Sequence, residues 1–102
     1  MYSLVFYVPE THLEAVKRAV FAAGAGKMGN YEHACWQVKG QGQFQPKVGA
    51  TPYVGDVGRL EVVSEYRVEM VLMASCREQV VRALKLSHPY EEVAYQISAI
   101  EH

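Results

Sequence analysis

Apolar residues recur along this chain with two periods, and the switches between them mark out six elements. Tyr2 to Val8 (YSLVFYV) is a β-branched and aromatic run without a polar face: Leu4 and Phe6 fall on one side, Val5 and Tyr7 on the other. Such a run predicts a central strand covered on both sides, and Pro9 stops it. Thr11 followed by Glu14 is a capping box, after which Leu13, Val16 and Val20 recur at helical spacing to about Ala23. Gly24 suits the helix end. Tyr31 to Lys39 predicts a strand in which Ala34, Trp36 and Val38 alternate with His33, Cys35 and Gln37. From Gly40 to Gly58 the pattern dissolves into GQGQFQPKVGATPYVGDVG, a long glycine-rich loop. Arg59 to Met73 then predicts a long strand, with Leu60, Val62, Tyr66, Val68, Met70 and Leu72 on one face and Glu61, Glu65, Arg67 and Glu69 on the other. Ser75 with Glu78 is a second capping box, opening a helix through Val80, Val81 and Leu84. Pro89 disfavours helix at His88, so this helix ends near Ser87, and Val93 to Ile100 forms the last strand.

The order βαββαβ, with right-handed crossovers, predicts an α+β ferredoxin-like sandwich. Its four-stranded antiparallel sheet would carry both helices, near residues 11–23 and 76–87, on one face. A length of 102 residues leaves room for a single domain over 1–102. One layer of helices cannot cover the second apolar side of the first strand, and in so short a chain the expected cover is another copy. The third strand, at about 15 residues against a typical 5–6, overruns its own sheet and could add to a neighbour's.

Charge narrows the function classes. Ten basic residues are interspersed with eleven acidic ones, so no basic stripe exists to attract a phosphate backbone, and nucleic acid is disfavoured as a partner. No apolar stretch approaches the roughly 18 residues needed to cross a bilayer. The N-terminus has no charged region ahead of its apolar run, which predicts no signal peptide and a cytoplasmic chain. Cys35 and Cys76 show no metal-type spacing and are expected as reduced thiols.

Four motifs in fixed order then carry a resemblance: Gly24 to Tyr31 (GAGKMGNY), the stretch Gly40-x-Gly42-x-Phe44-x-Pro46, Gly49 to Gly55 (GATPYVG), and His88 to Tyr95 (HPYEEVAY). From Tyr2 to its C-terminus the chain resembles the PII/CutA-like insert domain of the YqfO branch of the NIF-three-like proteins. In the larger members this module interrupts a separate metal-binding core and caps the entrance of a hexameric ring. The residues here match the module and not that core, so the family's metal-dependent hydrolysis does not transfer. The resemblance implies a PII/CutA-like fold and self-association, with a trimer favoured over a dimer.

Three groups of residues are candidates for chemistry. Gly24-x-Gly26-x-x-Gly29 has the letters of a dinucleotide fingerprint, but that mechanism needs a strand before it and a helix N-terminus after it. Here a helix precedes and a strand follows, so the motif predicts a tight turn. The second group joins the 40–58 loop, through Tyr53, to His88, Tyr90, Glu91 and Glu92 at the same end of the sandwich. It is the candidate ligand site, because a histidine with carboxylates can bind a divalent metal or work as acid and base. The competing structural reading is that Pro89 and Tyr90 fix a turn while His88 caps helix carbonyls. The third group, His33, Cys35 and Glu65, is the candidate metal site, since a borderline-soft divalent ion accepts that donor set. Its competing reading is a polar sheet face with paired charges.

Neither cluster offers a nucleophile with a positioned base, which leaves an enzyme the least supported class. The leading expectation is a non-enzymatic oligomeric binding or regulatory module with a small-molecule or metal ligand between subunits. The alternative is a CutA-like protein that binds a divalent metal through His, Cys and Glu side chains.

Overall fold

In a computed structural model of the chain, residues 1–101 are described. The uninterrupted β-branched run becomes β1 (Tyr2–Pro9), which sits inside the sheet as expected. It pairs antiparallel with β3 (Glu61–Leu72) on one side and β4 (Tyr95–Ala99) on the other, while β2 (Trp36–Phe44) lies beyond β3. Helices α1 (Leu13–Ala22) and α2 (Arg77–Ser87) pack together over one face of this four-stranded sheet. The core is the seam between the layers: Leu4, Phe6 and Val8 from β1, Val68, Met70 and Leu72 from β3, Val16 and Val20 from α1, Val80 and Leu84 from α2. These positions keep the period of two in the strands and of three to four in the helices that the sequence displays.

Both helix starts differ from the capping-box expectation. A 3-10 turn precedes each helix, Glu10–His12 before α1 and Ala74–Cys76 before α2. The helix N-cap residues are His12 and Cys76, and neither makes a side-chain cap bond. The tight turns supply the reason. Leu13 N–H donates to Glu10 O and Arg77 N–H to Ala74 O, so the first orphan amides already have acceptors. Thr11 Oγ1 turns instead to His12 Nδ1, at 2.9 Å.

The glycine motif after α1 is a tight turn, as its context predicts. Gly24, Gly26 and Gly29 all have positive φ. Gly26 donates to Val71 O at 2.8 Å and accepts from Ala34 N at 2.9 Å, pinning the connection to the sheet. A Cβ there would come within 2.7 Å of the Phe21 ring.

The second strand is shifted from expectation. His33 takes a left-handed backbone, φ +58°, that interrupts extended chain, and β2 runs from Trp36 through both glycines to Phe44 rather than from Tyr31 to Lys39. Its connection to β3 therefore covers residues 45–60, not 40–58. Register explains why glycines occur within a strand. Gly40 pairs with Glu65, and a Cβ on Gly42 would collide with the Glu65 carboxyl. The glycines clear space for that side chain. Because β1 stops pairing at Pro9↔Glu65 while β2 and β3 continue to Phe44↔Glu61, the hairpin projects past the rest of the sheet. The molecule is accordingly elongated, 47 × 24 × 23 Å.

Among the described residues, no helix or strand covers the face away from the helices. Val5 is buried there, but Trp36 and Val38 are 57% and 43% exposed. Arg67 stands among them, 3.6 Å from Glu69 and 3.5 Å from the Tyr7 hydroxyl, with its buried Nε making no hydrogen bond.

Candidate functional site

Where the projecting hairpin meets the chain after α2, the open face deepens into a pocket of about 260 Å³. The strand period places Phe44, Glu65 and Tyr7 on this side of the sheet. The 45–60 connection folds back over them, contributing Pro46, Pro52 and Tyr53, and the turn after α2 contributes Tyr90, Glu91 and Glu92. Aromatic rings form the walls. Tyr90 lies 6.2 Å from Phe44 and 6.3 Å from Tyr53 between centroids, with the rings tilted by 56° and 49°. Every ionisable lining residue is a glutamate or a tyrosine, and no lysine, arginine or histidine is among them.

Each candidate side chain can now be given its place. Glu91 is a stitch: its carboxylate accepts from Thr51 N–H at 3.0 Å and 3.3 Å, holding the connection against the turn. His88 is 6% exposed and lies behind the pocket. Its Nε2 is 2.7 Å from Tyr7 O, and its Nδ1 accepts from Tyr90 N–H at 3.1 Å. That pattern suits the neutral ring with the proton on Nε2. Burial lowers the His88 pKa, only partly opposed by the Tyr7 carbonyl. The expected capping of helix carbonyls by this side chain is replaced by a tie between β1 and the turn, because Pro89 directs the chain away from the helix axis at His88 (ψ 139°). Tyr53 packs edge-on against His12, ring centroids 5.5 Å apart.

Glu65 belongs to this pocket rather than to the cluster in which the sequence placed it. Burial raises its carboxyl above the ordinary range, with a smaller opposite pull from Tyr90. The Tyr90 phenol is raised in turn, by burial first and by Glu65 second. Tyr90 Oη is buried, and Glu65 is the group beside it, acting on it by charge and as a hydrogen-bond acceptor. Perturbed acids in an apolar recess are what a binding site displays.

His33, Cys35 and Glu65 are not brought together. His33 is exposed and stacks on Phe21, centroids 5.2 Å apart. Cys35 packs against the core just ahead of Trp36, which pairs with Glu69. Glu65 is four residues further along β3, about 13 Å at strand rise. Among the described residues no three His, Cys, Asp or Glu side chains converge as metal ligands. Phe44 and Tyr7 line the pocket although the sequence reading did not place them in the candidate site. The period-two run Gly40, Gly42, Phe44 was the available signal, since it puts the ring and the clearance for Glu65 on one face.

No family model matches the chain. Among solved structures, the PII-like protein CutA from Nostoc superposes with a TM-score of 0.71 at 15% identity, covering 99% of this chain and 82% of that one. A protein from Archaeoglobus fulgidus described as periplasmic divalent cation tolerance protein CutA gives 0.69 at 13%, covering 100% and 86%. At such identities the likeness concerns the fold, which is that of a CutA/PII-like module. A Bacillus cereus protein related to NIF3 is closer, with a TM-score of 0.84 and 40% identity over 99% of this chain and 26% of its own. Curated relatives described as GTP cyclohydrolase 1 type 2 homologs are 51% identical in Mycobacterium leprae and 46% in Bacillus subtilis, covering 94% and 96% of this chain. The chain corresponds over nearly its whole length to a CutA/PII-like module within these NIF3-related proteins. It spans 25% and 26% of the length of those two relatives. No helix among the described residues is long and apolar enough to cross a membrane.

Proposed function

We propose that this chain is a self-associating binding or regulatory module without catalytic chemistry of its own, holding a small ligand in the pocket at the hairpin end of its open sheet face. One observation carries the reading: Glu65 and the buried Tyr90 hydroxyl sit together in an aromatic recess, with no cation paired to Glu65 among the described residues. A fold gains nothing from burying a carboxylate beside a phenol without a counter-charge, whereas a ligand could supply one. Self-association is supported by the exposed Trp36 and Val38 and by the projecting hairpin. A trimer is favoured over a dimer on the PII/CutA resemblance. The two free cysteines suit a cytoplasmic setting.

A thermal-shift screen of small molecules tests the pocket. Compounds that stabilise the wild type should fail on Ala94→Trp, which places an indole at the pocket lining. Hits that stabilise both chains equally put binding elsewhere. The rival reading, a divalent metal, draws support from the CutA neighbour's description. Its donors would come from more than one copy, because no three converge among the described residues of one chain. Metal analysis of untagged protein decides it: a stoichiometric divalent ion favours the rival.

A further inference from the structure

We propose that the ligand of this pocket is a small organic cation, a primary ammonium on an apolar or aromatic body. The inference rests on the pocket being a binding site and adds the class of its occupant. Three features of the recess agree on that class.

The first is charge. Glu65, Glu91 and Glu92 line the pocket and no basic residue does. Glu91 is engaged with Thr51 N–H, but among the described residues Glu65 pairs with no cation, and it lies over Gly42, which offers no side chain to solvate it. An anion entering here would face an uncompensated carboxylate in a desolvated setting, and a cation would neutralise it. Burial already raises the Glu65 carboxyl, so a bound cation would relieve an existing cost. The second is the wall. Phe44, Tyr53 and Tyr90 are splayed with centroids 6.2 and 6.3 Å from the central ring. Their faces attract a cation and also accept a flat apolar body. The third is the buried Tyr90 Oη beside Glu65, whose lone pairs can accept one ammonium N–H while Glu65 takes another. A metal ion would use the carboxylate but leave the aromatic walls without a role.

Isosteric probes test the class directly. Benzylammonium, benzyl alcohol and benzoate share a ring and differ in charge. Each is titrated into the 15N-labelled chain up to about 10 mM, the weak end for ligands of this size. Benzylammonium is expected to give saturable shifts at Phe44, Tyr53 and Tyr90, with benzyl alcohol weaker and benzoate silent. Glu65→Gln, which keeps shape and removes charge, should weaken benzylammonium by about tenfold or more. Tyr90→Phe should weaken it less, and the dispersion of both variants' spectra reports whether they fold. If benzoate or benzyl alcohol binds at the same residues as tightly as benzylammonium, the pocket stands and the cation inference falls. If none of the three moves those residues and Glu65→Gln instead alters the oligomeric state, the carboxylate serves a contact between copies. Both readings then fall.

Discussion

The two faces of this sheet are built from the same strands and have opposite characters. On the helix side, alternate residues of β1 and β3 meet α1 and α2 in a dry seam where Leu4, Phe6, Val8, Val68, Val80 and Leu84 are wholly buried. On the other side the intervening residues of the same strands are Val5, Tyr7, Glu65, Arg67 and Glu69, joined by Trp36 and Val38 from β2. The first face satisfies itself within one chain. The second leaves an indole exposed, an Arg67 Nε facing Glu69 without a hydrogen bond, a buried Tyr90 hydroxyl beside Glu65, and that carboxylate partly desolvated. Exposed apolar side chains and half-paired polar groups are features that a partner or ligand would complete, so the contrast separates the half of the sequence that folds the chain from the half left open.

The largest effect should come from the closed face. Phe6→Ala opens a cavity in a seam with no room to collapse and should cost about 3–5 kcal/mol in a denaturant titration. Val38→Ala on the open face, measured below the concentration at which copies associate, should stay within about 0.5 kcal/mol. Comparable losses at the two positions would break the distinction.

Next is His88, whose ring joins the faces by bonding Tyr7 O and Tyr90 N–H. His88→Ala should cost about 2–3 kcal/mol, because it strands a buried carbonyl and an amide. Its folded pKa is depressed below 6.5. Its stabilisation is therefore complete above the unfolded value and lost as pH falls through the folded one. Melts of the wild type should show stability declining as pH drops below about 6.5, and His88→Gln should flatten that decline. A wild-type curve that is level across the window would contradict the buried neutral ring.

A smaller effect than that of His88 belongs to Glu65, with the opposite sign. Its folded pKa is raised, so its contribution is most favourable below the unfolded value of 4.5 and is lost as pH rises through the folded one. Glu65→Gln should stabilise the chain slightly at neutral pH, by less than about 1 kcal/mol once screening at a partly exposed site is allowed for. A clear destabilisation would mean that the carboxylate has a cationic partner.

Much of the architecture could be read directly. The unbroken run in β1 and the helical spacing of Val16 and Val20 both reflect burial against neighbours, and burial leaves a periodic trace. The glycine turn after α1 was legible because its context, helix before and strand after, contradicts the fingerprint's mechanism. The helix starts were misplaced because 3-10 turns cap amides with backbone alone, which side-chain patterns do not record. The end of β2 was hidden by Gly40 and Gly42, whose composition signals a loop while their spacing signals a strand. That error moved Glu65 into the wrong cluster, since register decides which side chains share a face. Tyr53, Tyr90, Glu91 and Glu92 were legible as neighbours, but the role of Glu91 as a backbone acceptor depends on where Thr51 folds.

Sedimentation velocity at micromolar concentration tests most directly whether the open face is where this molecule meets others. The wild type should sediment as a multiple of 11.4 kDa, and Trp36→Glu combined with Val38→Glu should sediment as a folded monomer with an unchanged circular dichroism spectrum. A wild type that sediments at 11.4 kDa, or a double variant that retains the wild-type assembly, would contradict that account.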